Sequence, residues 1–296
     1  MRRPLVEDHD SGLQHDLERI VALKERRRVL TWLLSGSAVL LAACEGGGSS
    51  SATTTASSAG TASGTTTGGT ASTPIGSCAA APAETAGPYP SDGSNTVNGM
   101  ASNVLAESGV VRSDIRSSFG SSSAVAGGVP LTLTLSLVNS NNLCALLSGY
   151  AVYLWHCTRE GAYSLYTNGV QNENFLRGVQ VADGSGLVTF QTIFPGCYPG
   201  RYPHIHFEVY PSLSLATLYT NRVLTSQIAL PRDVCSAVYS GASGYGASVS
   251  NLAGVTTGND NVFGDNTAAQ IAAMTPALAG SIAAGYTGNL TIGVPA

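Results

Sequence analysis

Residues 195–210 read Pro-Gly-Cys-Tyr-Pro-Gly-Arg-Tyr-Pro-His-Ile-His-Phe-Glu-Val-Tyr, and this stretch decides the fold of the chain. It begins with two Pro-Gly pairs, which are typical of turns. Polar and apolar residues then alternate, a pattern that predicts a β-strand. Because neighbouring side chains of a strand point to opposite faces, one face carries polar residues and the other apolar ones. The polar face holds His204, His206 and Glu208, and the apolar face holds Ile205, Phe207 and Val209.

The two histidines of this predicted strand are candidates for binding a metal ion, because imidazoles that point the same way can share one. Each has a plainer explanation as a buried core residue or a solvated one. The chain has five histidines, and two of them precede a predicted export signal. His156 is the remaining imidazole, and the spacing of Glu208 fits the usual metal-binding patterns poorly. A metal at His204 and His206 therefore needs other ligands, and tyrosines lie on both sides of the pair.

The first 44 residues are predicted to direct export rather than to fold. Residues 1–28 are charged, and residues 29–43 are apolar. That apolar run is shorter than a membrane span, which needs about 20 residues, and it fits a secretory signal. The arginines at 26–28 resemble a twin-arginine motif. Leu41-Ala-Ala-Cys44 resembles a bacterial lipobox with lipid on Cys44; the alternative is an ordinary cysteine near a cleavage site.

The rest of the chain divides into a linker and one domain. Residues 45–74 are almost wholly Gly, Ser, Thr and Ala, a composition that predicts a disordered linker. Residues 75–296 are long enough for a single domain with a sizeable core. We therefore expect a protein of the bacterial cell envelope that is lipid-anchored, periplasmic or extracellular.

Charge and cysteine content narrow the class of protein. Charged residues make up 11% of the chain, whose formal net charge is −4. Residues 75–296 contain 7 basic and 11 acidic side chains and so keep a net charge of −4, and no basic patch indicates nucleic acid. Cysteines of exported proteins usually form disulfides. Without Cys44 five remain, so at least one is expected to be free or to pair elsewhere, and the sequence does not give the pairs.

Short strands separated by turns dominate the predicted domain. Alternating or apolar runs predict strands at 130–138, 150–156, 186–193 and 204–210, with weaker signals at 223–230 and 290–294. Residues 231–239 and 266–278 look partly helical. Strands of this length between Gly, Pro and Asn turns predict an all-β protein, a β-sandwich of mixed or antiparallel sheets with long irregular loops.

Five stretches together resemble the intradiol ring-cleavage dioxygenases, in particular exported, single-domain relatives of the protocatechuate 3,4-dioxygenase type. They are residues 84–89 (ETAGPY), 111–116 (VRSDIR), 149–157 (GYAVYLWHC), 161–164 (GAYS) and 192–206 (TIFPGCYPGRYPHIH). Each stretch alone would be weak, but the set extends over the domain, from about Cys78 to the C-terminus.

Members of that family bind one ferric iron through two tyrosines and two histidines. The resemblance therefore implies an Fe(III) site at Tyr163, Tyr198, His204 and His206. Ferric iron is a hard Lewis acid that favours anionic phenolate oxygen, so tyrosine ligands are chemically coherent. Tyr166, three residues after Tyr163, is the alternative for the first tyrosine. The plainer explanation of Tyr163 is a packing residue, and that of Tyr198 is a turn residue.

The resemblance also implies catalytic roles for three residues. Arg201 matches a family arginine near the substrate, where a fixed cation would stabilise negative charge on a bound diol; its alternative is a solvated loop arginine. Gln227 matches, more weakly, a family glutamine near the iron. Tyr198 matches the ligand that leaves the metal and accepts a proton. Trp155 is expected in the core, and His156 beside the site or in a structural role.

The sequence therefore predicts an oxidoreductase, an Fe(III)-dependent intradiol dioxygenase. Its partners would be a small catechol-type aromatic diol and O2, its product a cis,cis-muconate-type diacid, and its membrane contact an N-terminal lipid anchor. Two alternatives stay open: a non-catalytic cell-surface β-sandwich that keeps the metal site, and a zinc or Fe(II) hydrolase. The short loop after Tyr198 and the cysteine at Cys197 differ from protocatechuate enzymes, so the diol is left open, as is the oligomeric state.

Overall fold

The structure, a computed structural model, describes residues 78–296. The predicted export signal at 1–44 and the predicted linker at 45–74 lie outside the described residues. Within 78–296, no helix is both long enough and apolar enough to cross a bilayer.

Strands make up most of the regular structure of the described domain. They are β1 (Asp92–Val97), β2 (Met100–Asn103), β3 (Pro130–Asn139), β4 (Ala145–Leu146), β5 (Ala151–Trp155), β6 (Arg177–Val181), β7 (Leu187–Ile193), β8 (His204–Tyr210), β9 (Leu224–Ala229), β10 (Ala277–Ser281) and β11 (Gly285–Val294). The α-helices are α1 (Arg232–Gly241), α2 (Gly246–Ala253) and α3 (Ala268–Ala273).

Two sheets form the body of the domain. The first has the order β10-β11-β3-β4, with β7 also paired to β3, and its β11–β3 pair is parallel. The second has the order β6-β5-β8-β9 and is antiparallel throughout. The β1–β2 hairpin is a separate two-stranded sheet. The predicted all-β sandwich of mixed and antiparallel sheets is therefore confirmed.

One apolar core joins the inner faces of the two sheets. Strict alternation in β3 buries Leu131, Leu133, Leu135 and Leu137 in this core. The apolar face of β8 reaches the same cluster through Ile205, Phe207 and Val209. All seven residues of β8 are nevertheless buried, because loops and a second apolar cluster cover the outer face of its sheet. The two histidines of β8 lie under that cover.

The sandwich has two ends, which we name after the first and last residues of β8. In the strand register, the end of β8 at Tyr210 lies opposite the start of β5 at Ala151, and β6 ends at the same level. The connections at 147–150 and 182–186 are short, so β4 and the start of β7 also lie at this Tyr210 end. The opposite end, the His204 end, contains the last residue of β5, Trp155, and the end of β9.

The six strands and the two helical segments predicted from the sequence are all present, with boundaries moved by a few residues. The strand predicted at 290–294 is longer, because it begins at Gly285. The prediction missed the β1–β2 hairpin, β4, β6, α2 and β10. These elements are short, and most are polar or rich in small residues, so their sequences lack a clear apolar periodicity.

The cysteines of the described domain separate into one pair and three thiols. Cys78 forms a disulfide with Cys144, with the Cα atoms 5.6 Å apart. Cys157, Cys197 and Cys235 are free and buried. Burial raises the pKa of Cys197 to about 12, so its thiol stays protonated at neutral pH, and its Sγ lies 3.5 Å from the carbonyl oxygen of Arg201. The disulfide attaches the start of the domain to the turn between β3 and β4.

Candidate metal centre

The site begins with the two histidines at the start of β8. Their Nε2 atoms lie 3.0 Å apart, and each side chain is only 2% exposed. Nδ1 of His204 lies 2.6 Å from the carbonyl oxygen of Tyr202. Because a carbonyl can only accept a hydrogen bond, Nδ1 carries the proton and Nε2 of His204 presents its lone pair to the site.

Two tyrosines from separate loops reach the same point. The hydroxyl of Tyr163, in the β5–β6 connection, lies 3.5 Å from Nε2 of His204. The hydroxyl of Tyr198, in the turn before β8, lies 3.2 Å from the same nitrogen. The structure therefore brings together the four side chains that the sequence singled out as metal ligands.

A shared cation explains this convergence better than hydrogen bonding does. The single lone pair on Nε2 of His204 cannot accept good hydrogen bonds from three polar groups at once. Nδ1 of His206 is buried and has no hydrogen-bond partner. Donor atoms bound about 2.0–2.1 Å from one ion lie roughly 3 Å from each other, close to the separations observed. Within residues 78–296, no group of three or more His, Cys, Asp or Glu side chains could hold a metal, so the tyrosines are needed to complete the ligand set.

The electrostatics of the cluster favour a hard cation. Burial holds the pKa values of His204 and His206 well below the ordinary histidine value, so both imidazoles are neutral ligands at neutral pH. Burial also raises the pKa values of Tyr163 and Tyr198, although the charge of Arg201 opposes this. A phenolate is therefore stable here only beside a positive charge, and phenolate oxygens suit a hard cation.

Packing fixes the plane of the His206 ring. Trp155, its neighbour across the β5–β8 pair, stacks on it with centroids 4.9 Å apart and planes at 7°. Gly87 approaches the same ring from the N-terminal segment, where a Cβ atom would lie 3.3 Å from Cε1 of His206. Trp155 is buried as predicted, and it also orients a candidate ligand.

Gly161, two residues before Tyr163, is needed at its position for a physical reason. Its φ of +90° is in the region that favours glycine, and a Cβ there would lie 2.9 Å from Cβ of Tyr198. The glycine lets the two tyrosine-bearing loops pack against each other, so it positions Tyr198 directly and Tyr163 two residues further on.

Tyr166, the alternative to Tyr163, is held elsewhere. Its hydroxyl donates to Oδ1 of Asn95 at 2.9 Å and accepts from the backbone N–H of Ser91 at 2.8 Å. It therefore ties its loop to the β1–β2 hairpin and lies outside the cluster around His204. The geometry favours Tyr163 as the first tyrosine.

Two other polar residues noted in the sequence also lie outside the cluster. His156 lies 2.8 Å from the carbonyl oxygen of Cys157 through Nδ1 and 2.7 Å from Oγ1 of Thr192 through Nε2. Burial lowers its pKa to about 4, which makes it a neutral structural residue. Glu208 accepts hydrogen bonds from Tyr210 and Thr225, so its carboxyl group is bound by these residues and not by the cluster around His204.

Arg201 and Gln227 are joined to each other beside the histidines. Nη2 of Arg201 donates to Oε1 of Gln227 at 2.6 Å, and Gln227 pairs with His206 in the β8–β9 register. Nε2 of Gln227 donates to the carbonyl oxygen of Thr85 at 2.9 Å. Arg201 is only 4% exposed, which excludes the alternative of a solvated loop arginine.

Asp260 is a residue of this site that the sequence did not reveal. Its carboxylate accepts from Nε of Arg201 at 2.9 Å and from the backbone N–H of Tyr202 at 2.7 Å. It also accepts from the backbone N–H groups of Val262 and Phe263. In the sequence Asp260 lies between two asparagines of a polar, glycine-containing loop, where an ordinary turn residue is the natural interpretation.

The described domain is similar in structure to known dioxygenases. It matches the intradiol ring-cleavage dioxygenase from Tetranychus urticae at 25% sequence identity and a TM-score of 0.55, covering 74% of this chain and 96% of that one. It matches the dioxygenase Tetur07g02040 at 24% identity and a TM-score of 0.54, covering 74% and 95%. No protein-family model and no curated protein matches the chain. The domain therefore has the fold of the intradiol ring-cleavage dioxygenases, and the resemblance seen in its sequence is confirmed.

Proposed function

We propose that this protein is an Fe(III)-dependent intradiol dioxygenase, which cleaves a catechol-type diol with O2 to a cis,cis-muconate-type diacid. The observation that carries the proposal is the approach of Tyr163, Tyr198 and His206 to within 3.0–3.5 Å of Nε2 of His204. A site of two imidazoles and two phenols in a fold shared with intradiol dioxygenases supports iron better than zinc, which phenols seldom bind.

The four candidate ligands are not equivalent. Tyr163, His204 and His206 are at most 2% exposed and are held by strands or packed loops. Tyr198 is only partly buried, and the two residues that follow it are exposed. Ferric iron bound here would supply a Lewis acid that draws electron density from a coordinated diol. Tyr198 lies on the more exposed side of the site, which supports its role as the group that leaves and accepts a proton from the diol.

Arg201 supplies a fixed positive charge. Its guanidinium is buried and held by Asp260 on one side and Gln227 on the other. A preorganised cation in a water-poor site stabilises negative charge that develops on the diol. Because neither Arg201 nor Gln227 is among the four donors, their roles concern turnover and orientation of the diol rather than metal binding.

Metal analysis combined with a visible spectrum tests the proposal. We expect stoichiometric iron, a broad visible band from tyrosinate-to-iron charge transfer, and a shift of that band when catechol or protocatechuate is added without oxygen. When oxygen is added, one O2 should be consumed for each diol, and a ring-opened diacid should form. His204→Ala should lose the iron and the band.

The other outcomes of this experiment identify the alternatives. A colourless protein that contains zinc or ferrous iron would indicate a hydrolase. An iron-containing protein that turns over no catechol, protocatechuate or hydroxyquinol would indicate a binding module that keeps the metal site. Either result contradicts the proposed dioxygenase.

The cellular location is a separate proposal that rests on the sequence alone. Leu41-Ala-Ala-Cys44 ends a short apolar run, and we propose that the mature chain begins at Cys44 and carries lipid there. The intact mass of the protein from the membrane fraction tests this. A water-soluble mature form that begins elsewhere contradicts it, and Cys44→Ala should release the protein or block its processing.

A further inference from the structure

Exposed apolar side chains of the described domain are concentrated at the Tyr210 end. In the turn after β3 and in β4, Leu143 is 97% exposed and Leu146 is 49% exposed. In the β8–β9 connection, Leu213, Leu215, Leu218 and Val223 are 38–40% exposed. Isolated exposed leucines are ordinary, but a group of this size at one end of a domain indicates a contact surface.

The strand register places these two groups at the same end of the sandwich. The β8–β9 connection starts after Tyr210, which lies opposite Ala151 of β5. Leu146 precedes Ala151 by five residues, a span of at most about 18 Å even in an extended chain. Backbone hydrogen bonds from Gly149 to Ala182 and from Ala182 to Tyr150 keep this connection close to the sheet.

Charge is nearly absent from these loops. Residues 140–149 contain no Asp, Glu, Lys or Arg, and residues 211–223 contain Arg222 alone. The guanidinium of Arg222 lies 3.3 Å from Oε1 of Glu208 and over the ring of Tyr219, so this single cation is held against the domain. Leucines among serines, threonines and a tyrosine suit the boundary between lipid headgroups and acyl chains. They do not suit a highly charged partner.

The chain also enters the described domain at this end. Cys78, the first described residue, is bonded to Cys144, which directly follows the exposed Leu143. The 77 residues before it include the apolar run at 29–43. A membrane attachment in that N-terminal part of the chain would therefore be joined to the domain beside the exposed leucines, whereas the candidate metal centre lies at the opposite end.

We propose that the Tyr210 end is a membrane-docking surface. Leu143, Leu213, Leu215 and Leu218 insert among the headgroups of a phospholipid bilayer, and the His204 end with the candidate metal centre faces away from the lipid. The occupant of the surface is the bilayer itself, held there by apolar contact rather than by charge. This orientation does not depend on the reaction that the site catalyses.

Fluorescence quenching of the full chain in phosphatidylcholine vesicles tests the orientation. Ser214→Trp places a fluorophore among the leucines, and Ser250→Trp places one on an exposed serine of α2, which packs beside Cys197 at the other end. For each variant, the signal is the tryptophan fluorescence in excess of that of the parent chain. Brominated phosphatidylcholine, which quenches only within the bilayer, should quench the signal of Ser214→Trp at least about twofold more than that of Ser250→Trp.

Matched substitutions separate docking from other causes. In the Ser214→Trp chain, Leu213→Ser with Leu215→Ser should reduce quenching to the level of Ser250→Trp, whereas Val125→Ser, at a valine that is 67% exposed elsewhere, should not. Circular dichroism checks that each variant is folded. Raising the salt concentration should not release the domain from the vesicles, since these loops carry a single basic side chain.

Three results would overturn the proposal. The first is equal quenching, or none, at the two positions. The second is release of the contact by salt, which would mean that charge holds the domain to the vesicle. The third is a concentration-dependent blue shift of Ser214→Trp without lipid, which would mean that a second copy of this chain covers the surface.

Discussion

Arg201 and Asp260 form a buried ion pair: Nε of Arg201 lies 2.9 Å from Oδ2 of Asp260, and the side chains are 5% and 0% exposed. Asp260 belongs to a loop 59 residues further along the chain, and it also holds the backbone of Tyr202. The free side of the guanidinium reaches Gln227. The loop before α3 therefore determines where the positive charge of Arg201 lies relative to the histidines.

Replacing Asp260 should reduce turnover without removing the metal. In Asp260→Asn the guanidinium of Arg201 stays buried without a counter-charge and its orientation relaxes. A misplacement of about 1 Å can lower a rate about 100-fold, so we expect kcat for diol cleavage to fall by about 10- to 100-fold. Iron content and the resting visible band should persist. Losing one partner of a buried pair should also destabilise the fold by about 3–5 kcal/mol, measured by denaturant unfolding.

Asp265→Asn is the matched control for this variant, because Asp265 is an exposed carboxylate of the same loop. It should leave both kcat and stability unchanged. An Asp260→Asn protein that is folded and turns over normally would remove Asp260 from the positioning of Arg201.

The two neighbouring tyrosines should respond oppositely to loss of the hydroxyl. Tyr163→Phe removes a fully buried candidate ligand, so the visible band should weaken and shift and the activity should be lost. Tyr166→Phe removes two hydrogen bonds to the β1–β2 hairpin and should cost about 1–3 kcal/mol of stability while keeping the band. Spectra and unfolding curves of both variants decide the assignment. The reverse pattern would show that Tyr166 is the ligand.

Tyr198→Phe should separate metal binding from proton transfer. Three donors remain at Tyr163, His204 and His206, so the variant should still hold iron. Turnover should fall by about 10²–10⁴-fold, because the proposed acceptor of the diol's proton is absent. Single-turnover kinetics with an iron-loaded sample measures this. A variant with full turnover would exclude Tyr198 as the proton acceptor.

Arg201→Ala should likewise keep the iron and the resting colour, since a guanidinium is no ligand for ferric iron. Removing a preorganised charge-stabilising group typically lowers kcat by about 10²–10³-fold. Arg201→Lys should recover only part of this loss, because an ammonium cannot reproduce the planar fork that contacts Gln227 and Asp260 together. Normal turnover of Arg201→Ala on its preferred diol would remove Arg201 from the site.

Gly161→Ala should disturb the metal centre through Tyr198. The new Cβ meets Cβ of Tyr198 at 2.9 Å, so the tyrosine must move and the visible band should shift or weaken. Gly169→Ala is a close control, because its φ is +91° but no atom lies within 4 Å of the added methyl group. Both variants should lose about 1–3 kcal/mol of stability through backbone strain. A spectral change in both, or in neither, would contradict the steric explanation.

The raised pKa of Glu208 predicts that stability falls as the pH rises from 4.5 to about 8. Burial and, to a smaller extent, the charge of Asp92 raise the pKa of its carboxyl from the ordinary value of 4.5 to about 8, against the hydrogen bonds from Tyr210 and Thr225 and the charge of Arg222. Because the folded state holds the proton more tightly, this contribution to stability is complete below pH 4.5 and is lost as the pH rises through about 8.

Thermal unfolding between pH 5 and pH 9, across this window, measures the effect of Glu208. The Tm should fall towards the alkaline end, and Glu208→Gln should flatten that fall. Glu160 is a suitable control because its pKa is lowered, so Glu160→Gln should leave the slope in this range unchanged. An unchanged slope in Glu208→Gln would contradict the raised pKa.

Local periodicity allowed much of the sandwich to be predicted from the sequence. The alternation of leucine with threonine and serine in β3, and of histidine with apolar residues in β8, is a local property of the chain. A strand turns each successive side chain to the opposite face, so the two histidines necessarily share one face. The polar β1–β2 hairpin and the short β6 lack this periodicity, and their formation depends on partners elsewhere in the fold.

The choice between chemically similar residues was decided by tertiary structure. Tyr163 and Tyr166 lie in one loop, and only the contacts of Tyr166 with Asn95 and Ser91, about 70 residues away, show which of them is free to face the histidines. The five cysteines that remain without Cys44 indicated a free thiol, but only the folded chain shows which two of them pair. Periodicity can be recognised within a few residues of sequence. The partners of Arg201 and Cys78 depend on packing that brings distant segments together.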